Sequence, residues 1–357
     1  MKGIPQNSQS CPNLYTSMAL WFVAILFSLL IVLWVVKKLH FDHKDCLLPQ
    51  RLDGKLALVT GCNTGIGYEV VGELARRGAR VIMACRDLQK AEDARQRLLK
   101  RFGTGQHVMS SLPHLTSIDE TQLECERLDL ESPSSIRQFA ARLQRQEHVL
   151  HFLVNNAGIN LGHSQFDPDG IERHLKVNHL GHFLLTNLLR PLLAAAAAVD
   201  GEARVVNVSS FNHRLAELNL DDLSHPAVGT SYSNSKLANT IHAKALSERW
   251  QQESNIIGVS VHPGLVKTDL FRYSAFTRWL VHRLLSRLSK SPWQGAQDIL
   301  YCCLAEDIQP GAYYHQCRVG QMNSQALREG MGDRLWTASE RMIKHWEAAS
   351  AEPSLRG

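Results

Sequence analysis

The chain has 357 residues, 44% hydrophobic and 20% charged, which suits one large α/β domain with extensions or two small domains. Its net charge of +5 is mild and no long Lys/Arg block is present, which argues against a nucleic-acid-binding protein. The eight cysteines include no C-x-x-C pair, so we predict neither a disulfide framework nor a zinc site, and the cysteines indicate a reducing compartment.

The first predicted element is an apolar N-terminal segment. Residues 19–36 (ALWFVAILFSLLIVLWVV) have Ser28 as their only clearly polar residue, and the run can be extended to residues 14–36. A helix over this run would be roughly 27–35 Å long, enough to cross a bilayer core. A cleaved signal peptide is the alternative, but the run is longer than a signal-peptide core, and Lys37 and Lys38 stand where a cleavage site should be. We therefore predict a transmembrane anchor.

Positive charges after the anchor outnumber those before it, which places the rest of the chain in the cytosol. The predicted organisation is a tail (1–13), the anchor (14–36), a linker (37–53), a dinucleotide-binding domain (54–320), and a C-terminal helical extension (321–357).

Alternating strands and helices follow the linker. Residues 56–59 form a short apolar run typical of a buried parallel strand, and they lead into the glycine-rich motif TGCNTGIG at 60–67. A helix (68–77) and a second strand (80–85) complete a βαβ unit. Further strands are predicted at 125–128, 149–154, 204–208, 256–261, and 312–314. Further helices are predicted at 87–102, 132–146, 169–193 (prolonged to about 198), 232–254, 271–288, 293–305, and 335–348.

This alternation predicts a doubly wound, Rossmann-like parallel sheet of about seven strands with helices on both faces. Residues 103–122 interrupt it and are predicted to be a surface insertion.

The glycine-rich motif points to a dinucleotide. Its glycines would let the backbone approach a pyrophosphate, and the following helix N-terminus would offer N–H groups to the negative charge. The spacing differs from the common G-x-G-x-x-G, so a tight turn without nucleotide is the alternative. Arg86 follows the second strand, where an arginine can pair with a 2′-phosphate, and this favours NADP(H) over NAD(H).

Tyr232 and Lys236 are four residues apart, so on a helix they lie on the same face. A buried phenol beside a lysine can act as a proton donor, although an amphipathic helix with an exposed lysine gives the same spacing. The 17 histidines form no H-E-x-x-H motif and no Cys/His cluster, and we predict no metal.

Six motifs in order resemble the short-chain dehydrogenase/reductase family, over about residues 54–320. They are TGCNTGIG (60–67), NNAG (155–158), VNHLGHFLLT (177–186), VVNVSS (205–210), YSNSK (232–236), and HPGLVKT (262–268). The segments at 77–87 (RGARVIMACRD), 169–186 (DGIERHLKVNHLGHFLLT), and 235–239 (SKLAN) look closest to the membrane-bound retinol dehydrogenase group.

The resemblance implies four catalytic residues. Tyr232 would be the acid/base, with its pKa lowered by Lys236 and the nicotinamide, and Lys236 would also bind the nicotinamide ribose. Ser210 and Tyr232 would hold the substrate oxygen, and Asn178 would support a water relay to Lys236. The implied NADP(H) contacts are Gly61, Asn63, Gly65, Ile66, Gly67, Arg86, Asp129, Asn155, Ala157, Tyr232, Lys236, Pro263, and Thr268.

These observations predict a single-pass, endoplasmic-reticulum enzyme that moves a hydride between NADP(H) and a lipophilic substrate, with retinol/retinal implied by the resemblance. A steroid, a long-chain aldehyde or a ketone is the alternative substrate, and a catalytically silent NADP-binding scaffold is the alternative class. Residues 270–290 stand where the family places a substrate lid and could also contact the bilayer. The helix at 169–193 resembles one that the family uses for dimers, which leaves a homodimer and a monomer open.

Overall fold

The computed structural model describes residues 27–28, 31, 46, 48–105, 112–225, 227–266, and 289–351. The chain divides into two compact units, Met1–Asp42 and His43–Gly357, and the second unit contains the fold described below. All but three residues of the predicted anchor lie outside the described residues, as do Thr268 and residues 270–288 of the predicted lid.

An eight-stranded sheet forms the centre of the second unit. Its strands are β1 (Leu56–Thr60), β2 (Arg80–Cys85), β3 (Leu123–Arg127), β4 (Phe152–Asn155), β5 (Ala203–Val208), β6 (Ile256–His262), β7 (Tyr313–His315), and β8 (Arg318–Val319). The order across the sheet is β3-β2-β1-β4-β5-β6-β7-β8, and every neighbouring pair is parallel except β7 and β8. The strand order reverses at β1 and β4, and in such sheets ligands bind beyond the carboxyl ends of the strands at this point.

The prediction of about seven strands is short by one, because β8 returns through a tight hairpin. His315 pairs with Arg318, so only Gln316 and Cys317 form the turn, and their φ angles are 54° and 52°. Two-residue hairpins with two positive φ angles usually contain Asn-Gly or Gly-Gly. Neither residue of this turn carries that signal, which is why the sequence does not reveal the hairpin.

Seven helices cover the sheet in the described ranges. They are α1 (Gly65–Arg76), α2 (Leu88–Phe102), α3 (Pro133–Gln146), α4 (Arg173–Asp200), α5 (Ser231–Ser254), α6 (Pro292–Leu304), and α7 (Met331–Ala351). Single turns of 3-10 helix lie at Glu120–Gln122, Phe211–Leu215, and Ser324–Leu327. Apart from α4, and from the helix predicted at 271–288, which lies outside the described residues, the predicted elements agree with these bounds to within four residues.

Alternate residues of the central strands β2, β1, β4, β5, and β6 contribute to two separate cores. In β1, Leu56 and Leu58 pack with side chains of α3, α4, α5, and α7, whereas Ala57 and Val59 pack with those of α1, α2, and α6. The period of two along a strand sends successive side chains to opposite faces. Helices therefore lie on both faces of the sheet, as the sequence predicts.

The long helix α4 begins at Arg173 rather than at the predicted residue 169. Asp167 accepts hydrogen bonds from the backbone N–H groups of Asp169 and Ile171, and Gly170 has a φ of 73°. A side chain that bonds nearby backbone in this way competes with helix formation. Glu172 then caps the helix by accepting a hydrogen bond from the N–H of Leu175 at 3.0 Å.

The same helix is long and apolar enough to span a membrane by length and composition alone. However, 56% of its most apolar 18-residue stretch is buried inside the fold. A buried apolar helix of this kind is typical of the core of a globular domain, and we treat α4 as a core helix.

The predicted surface insertion, residues 103–122, is tied into the domain over the part that the structure describes. Gly103 forms a parallel bridge with Ile118, which is buried in the core with α2. The carbonyl of His114 accepts a hydrogen bond from Arg51 at 3.1 Å. The polar composition of this stretch hides the one buried isoleucine that fixes it.

Candidate active site

The first two turns of α5 present Tyr232 and Lys236 on one buried face. Thr230 caps the helix by accepting a hydrogen bond from the N–H of Ser233 at 3.1 Å, and the Ser233 hydroxyl accepts one from the N–H of Thr230 at 2.8 Å. This reciprocal pair fixes where the helix starts. Tyr232 is 8% exposed and Lys236 is 4% exposed.

Ser210 reaches Tyr232 from the end of β5. The Ser210 side chain lies near enough to the Tyr232 hydroxyl to lower the pKa of Tyr232, and the ammonium nitrogen of Lys236 lies 5.7 Å from the centre of the Tyr232 ring. Lys236 donates a hydrogen bond to the carbonyl of Val208 at 2.9 Å. Ser209 points to the other side, where its hydroxyl donates to the carbonyl of Lys236. The structure thus brings Ser210, Tyr232, and Lys236 together.

Burial shifts the pKa of both ionisable groups toward the uncharged form. It raises the pKa of Tyr232 to about 12, although the nearby Ser210 side chain acts in the opposite direction. It lowers the pKa of Lys236 to about 8. The pKa of Tyr232 is thus raised by the protein, whereas the sequence-based prediction was a lowered value that also counted the charge of the nicotinamide.

Asn178 lies in a π-helical turn of α4, Lys176–Leu180, and its side chain joins three segments. Its amide oxygen accepts a hydrogen bond from the N–H of Ile159, and its amide nitrogen donates to the carbonyl of Ile159 and to the Ser235 hydroxyl. A β-carbon placed on Gly158 would lie 3.2 Å from the Asn178 oxygen and 3.4 Å from the Lys236 nitrogen. Asn178 therefore adjoins Lys236 across Gly158. Single π-turns of this kind are often found at functional sites.

The glycine-rich loop between β1 and α1 forms a cradle at the same edge of the sheet. Gly61 and Gly65 have φ angles of 61° and 64°, in the left-handed region that favours glycine. A β-carbon on Gly61 would lie 2.8 Å from the α-carbon of Ala157, and one on Gly67 would lie 2.5 Å from the Asn156 amide nitrogen. Side chains at Gly61 and Gly67 would therefore clash with the NNAG turn.

Asn156, which the sequence did not single out, fixes this cradle. Its amide nitrogen donates to the carbonyls of Thr60 and Gly61 at 2.8 and 3.0 Å. The backbone N–H groups of Asn156 and Ala157 both donate to the Thr60 hydroxyl oxygen at 3.0 Å. The motif NNAG was the available signal, but the spacing alone did not distinguish the two asparagines.

The predicted contact Asn155 points elsewhere. Its amide nitrogen donates to the Thr186 hydroxyl at 3.0 Å and to the Asn207 oxygen at 2.8 Å, and the residue is 1% exposed. This side chain is therefore directed into the core beside α4 rather than into the cradle.

Arg86 and Asp129 lie at the carboxyl ends of β2 and β3. The Arg86 side chain is 65% exposed and pairs with Glu131 at 3.0 Å, and Glu131 also pairs with Arg173. Asp129 accepts a hydrogen bond from the N–H of Glu131 at 3.0 Å. These residues surround the end of the cradle where the adenosine half of a dinucleotide is expected.

The other predicted contacts are distributed around the cradle. The Asn63 carbonyl accepts a hydrogen bond from Arg97, and Pro263 is buried directly after β6. A β-carbon on Gly295 would lie 3.4 Å from the Ile66 side chain, which places Ile66 against the start of α6. Thr268 lies outside the described residues.

Two histidines that the sequence did not single out support the catalytic group. His213 donates from Nδ1 to the Ser210 carbonyl at 2.6 Å, and burial lowers the pKa of His213 to about 4. His174 meets the Tyr232 ring edge-on at 6.3 Å and bonds Glu172 at 2.6 Å. Both histidines are buried, so they hold neighbouring groups in place.

The residues of the cradle fit a nicotinamide dinucleotide. Glycines permit close backbone approach, the first turn of α1 can offer N–H groups to a pyrophosphate, and Lys236 lies at the other end of the crevice. Across the ranges described by the structure, no group of three or more His, Cys, Asp, or Glu residues could hold a metal ion.

Known proteins resemble this chain in sequence and in fold. A family model described as short chain dehydrogenase matches residues 55–278. Retinol dehydrogenase 12 of Bos taurus is 37% identical over 334 residues, covering 91% of this chain and 99% of its own. Retinol dehydrogenase 11 of Homo sapiens is 39% identical over 299 residues, covering 82% and 87%. The crystal structure of an uncharacterised protein from Mycobacterium Paratuberculosis has a TM-score of 0.62 and 29% identity, covering 85% of this chain and 98% of its own.

Proposed function

This chain belongs to the short-chain dehydrogenase family, and we propose that it is a membrane-anchored oxidoreductase that transfers a hydride between NADP(H) and a lipophilic alcohol or carbonyl, with retinol and retinal as its substrate pair. Within this proposal Ser210, Tyr232, Lys236, and Asn178 are the catalytic group.

The proximity of the Ser210 side chain to the Tyr232 hydroxyl is the observation that carries the proposal. It places two hydroxyl groups where one substrate oxygen can contact both, next to Lys236 and at the carboxyl edge of the sheet beside the glycine cradle. Catalysis by proton transfer requires the donor within hydrogen-bond reach of the reacting oxygen, and this pair supplies that arrangement.

The protonation states favour proton donation by Tyr232. With a pKa raised to about 12, its hydroxyl keeps its proton at neutral pH and can deliver it to a carbonyl oxygen held by Ser210. The nicotinamide, when bound, supplies the hydride in reduction and accepts it in oxidation. In oxidation Tyr232 takes the proton of the substrate alcohol, and the positive charge of Lys236 favours the phenolate.

Arg86 supports NADP(H) as the cofactor. Its guanidinium is exposed at the end of β2, where it can form two hydrogen bonds with a 2′-phosphate. The relatives named retinol dehydrogenase support a retinoid substrate. A steroid, or a long-chain aldehyde or ketone, would undergo the same chemistry and is the alternative.

The apolar run at residues 14–36 is long enough to cross a bilayer, and this supports a single-pass anchor. An anchored enzyme would lie close to the bilayer into which a lipophilic substrate partitions. The proposed location is the endoplasmic reticulum with residues 54–320, the catalytic domain, facing the cytosol, followed by the helical extension at 321–357.

Replacing Tyr232 by phenylalanine tests the mechanism. Tyr232→Phe should lower turnover of retinal with NADPH by at least about a hundredfold, since general acid catalysis contributes this much or more. The affinity for NADPH, measured by fluorescence titration of the full-length protein in detergent, should change little. Tyr301→Phe is the matched control, because the Tyr301 hydroxyl bonds Asp307 away from the site.

Normal turnover by Tyr232→Phe would contradict the mechanism. Substrate profiling separates the remaining alternatives, with retinoids, steroids, and long-chain aldehydes each offered with NADPH and NADH. Tight NADPH binding without oxidation of the cofactor by any carbonyl would instead indicate a catalytically silent scaffold.

A further inference from the structure

A buried histidine, His182, bridges the glycine cradle and the catalytic turn. It lies one helical turn after Asn178 on α4 and is 1% exposed. Its Nδ1 atom is 3.1 Å from the backbone carbonyl oxygen of Asn178, and its Nε2 atom is 2.9 Å from the Thr60 hydroxyl oxygen. Both ring nitrogens are therefore engaged, one on each side.

The chemistry of these partners fixes the direction of each hydrogen bond. A carbonyl oxygen only accepts, so Nδ1 of His182 carries the hydrogen. Burial lowers the pKa of His182 to about 4, the bond to the Asn178 carbonyl opposes this, and the charge of Lys236 adds to it. The ring is consequently neutral near pH 7, so Nε2 has no hydrogen and must accept from Thr60.

Thr60 completes the connection to the cradle. Its single hydroxyl hydrogen could instead point to the Val154 carbonyl oxygen, but that oxygen is 3.4 Å away. The unprotonated Nε2 of His182 would then face the Thr60 oxygen with no hydrogen between the two atoms. When the Thr60 hydroxyl donates its hydrogen bond to Nε2, its oxygen still accepts hydrogen bonds from the N–H groups of Asn156 and Ala157. One unbroken chain of hydrogen bonds thus runs from Asn178 to the NNAG turn.

We propose that His182 is a positioning residue that couples the NNAG turn of the cradle to the π-turn that carries Asn178. This inference rests on the proposed function, because the two turns would flank the dinucleotide. Loss of the Thr60 bond should loosen the cradle, and loss of the Asn178 bond should loosen the turn beside Lys236. The two halves of the role are therefore separable.

Two substitutions separate them. An asparagine can bond the carbonyl four residues earlier, as Asn187 does with Phe183 at 2.9 Å in the same helix, but it is too short to reach Thr60. His182→Asn should therefore weaken NADPH binding about tenfold, the order of effect for a buried group left unpaired, and leave kcat nearly unchanged. His182→Leu removes both bonds and should weaken binding and also lower kcat about tenfold.

His151→Asn is the matched control. His151 is 4% exposed and both of its ring nitrogens are bonded, because Nδ1 accepts from the N–H of Leu56 at 2.9 Å and Nε2 bonds Asp200 at 2.6 Å, but it lies at the opposite edge of the sheet from the cradle. This variant should lower Tm as much as His182→Asn and leave both kcat and the Kd for NADPH unchanged. A purely structural role for His182 would make its variants behave like this control, and that result would overturn the proposal.

A double-mutant comparison covers the case in which His182→Leu does not fold. Thr60→Val removes the hydrogen bond between Thr60 and His182 from the Thr60 side. The double variant that combines His182→Asn with Thr60→Val should therefore bind NADPH no more weakly than the single variant Thr60→Val. Independent, multiplying effects would contradict the coupling. Since the Kd for NADPH requires no substrate, wild-type protein that fails to reduce retinal would disprove the proposed function while this comparison still decides the role of His182.

Discussion

A buried phenol and a buried ammonium lie side by side in the candidate site, and burial opposes the charged form of each. The pKa of Tyr232 is raised to about 12 and that of Lys236 is lowered to about 8, so at neutral pH the phenol is neutral and most of the lysine is charged. This pairing suits proton donation to a carbonyl. Oxidation of an alcohol needs the phenolate, which depends on added positive charge near Tyr232.

Arg86→Gln should change the cofactor preference without abolishing activity. A guanidinium paired with a 2′-phosphate forms charge-assisted hydrogen bonds, and their loss should raise the KM for NADPH about ten- to a hundredfold. The KM for NADH should change little, because NADH has no 2′-phosphate. Steady-state kinetics with both cofactors measure this ratio.

Arg137→Gln is the control for Arg86, since Arg137 also forms an exposed ion pair, with Glu347, but on α3. It should leave the ratio of the two KM values as in the wild type. An unchanged ratio in Arg86→Gln as well would show that Arg86 does not read the 2′-phosphate, and its bond to Glu131 would then be its main role.

At this scale, spacing predicted the helical pair Tyr232 and Lys236. The direction of Asn155 was harder, because the motif does not show where β4 ends. Asn155 is the last residue of the strand and faces the core, whereas Asn156 leaves the strand and turns to the glycine loop. His182 was hidden because its partner Thr60 is 122 residues away in sequence.

Whole elements were predictable where one local signal dominates. Apolar runs predicted the parallel strands, whereas the structure shows that the capping residues Thr230 and Ser291 fix the starts of α5 and α6. The start of α4 was not predictable, because the bonds that Asp167 makes to nearby backbone override the helical pattern. How the surface insertion at 103–122 is attached was not predictable for a similar reason, since its position depends on a tertiary contact of Ile118.

The C-terminal helix α7 belongs to the same core as α4 and α5. Trp336 on this helix meets the Phe183 ring at 4.8 Å and the Trp250 ring at 5.7 Å, and it is 6% exposed. Trp336→Ala should therefore lower the free energy of unfolding by about 3–5 kcal/mol, the usual cost of removing a buried tryptophan. Urea unfolding followed by circular dichroism measures the change.

Lys344→Ala on the exposed side of α7 is the matched control, and it should change stability by less than about 0.5 kcal/mol. If Trp336→Ala were as mild as this control, α7 would be an appendage rather than part of the core. The predicted boundary at residue 320 would then separate the dinucleotide-binding domain from an extension that adds little to its stability.

For the whole molecule, the sheet order explains how distant motifs form one site. β1, β4, β5, and β6 are neighbours, so the glycine loop, the NNAG turn, Ser210, and Pro263 all emerge at one edge. The motif order in the sequence predicted this edge, because carboxyl ends of parallel strands meet there. The contact distances depend on how α4 and α5 pack across it, which no single motif encodes.

Buried histidines should make the stability of the whole domain sensitive to acid. Burial lowers the pKa of His179 to about 3 and those of His182 and His213 to about 4, against 6.5 for an exposed histidine. Between pH 6.5 and 4 the unfolded chain binds more protons than the folded chain, so the free energy of unfolding falls as the pH falls, by about 1.4 kcal/mol per pH unit for each histidine.

Urea titrations at pH 7.5, 6.0, and 5.0 should show this loss of stability. His179→Asn should reduce the slope of the free energy of unfolding against pH by the contribution of one histidine. Parallel pH profiles for this variant and the wild type would mean that His179 is protonated in the folded protein, contrary to its burial.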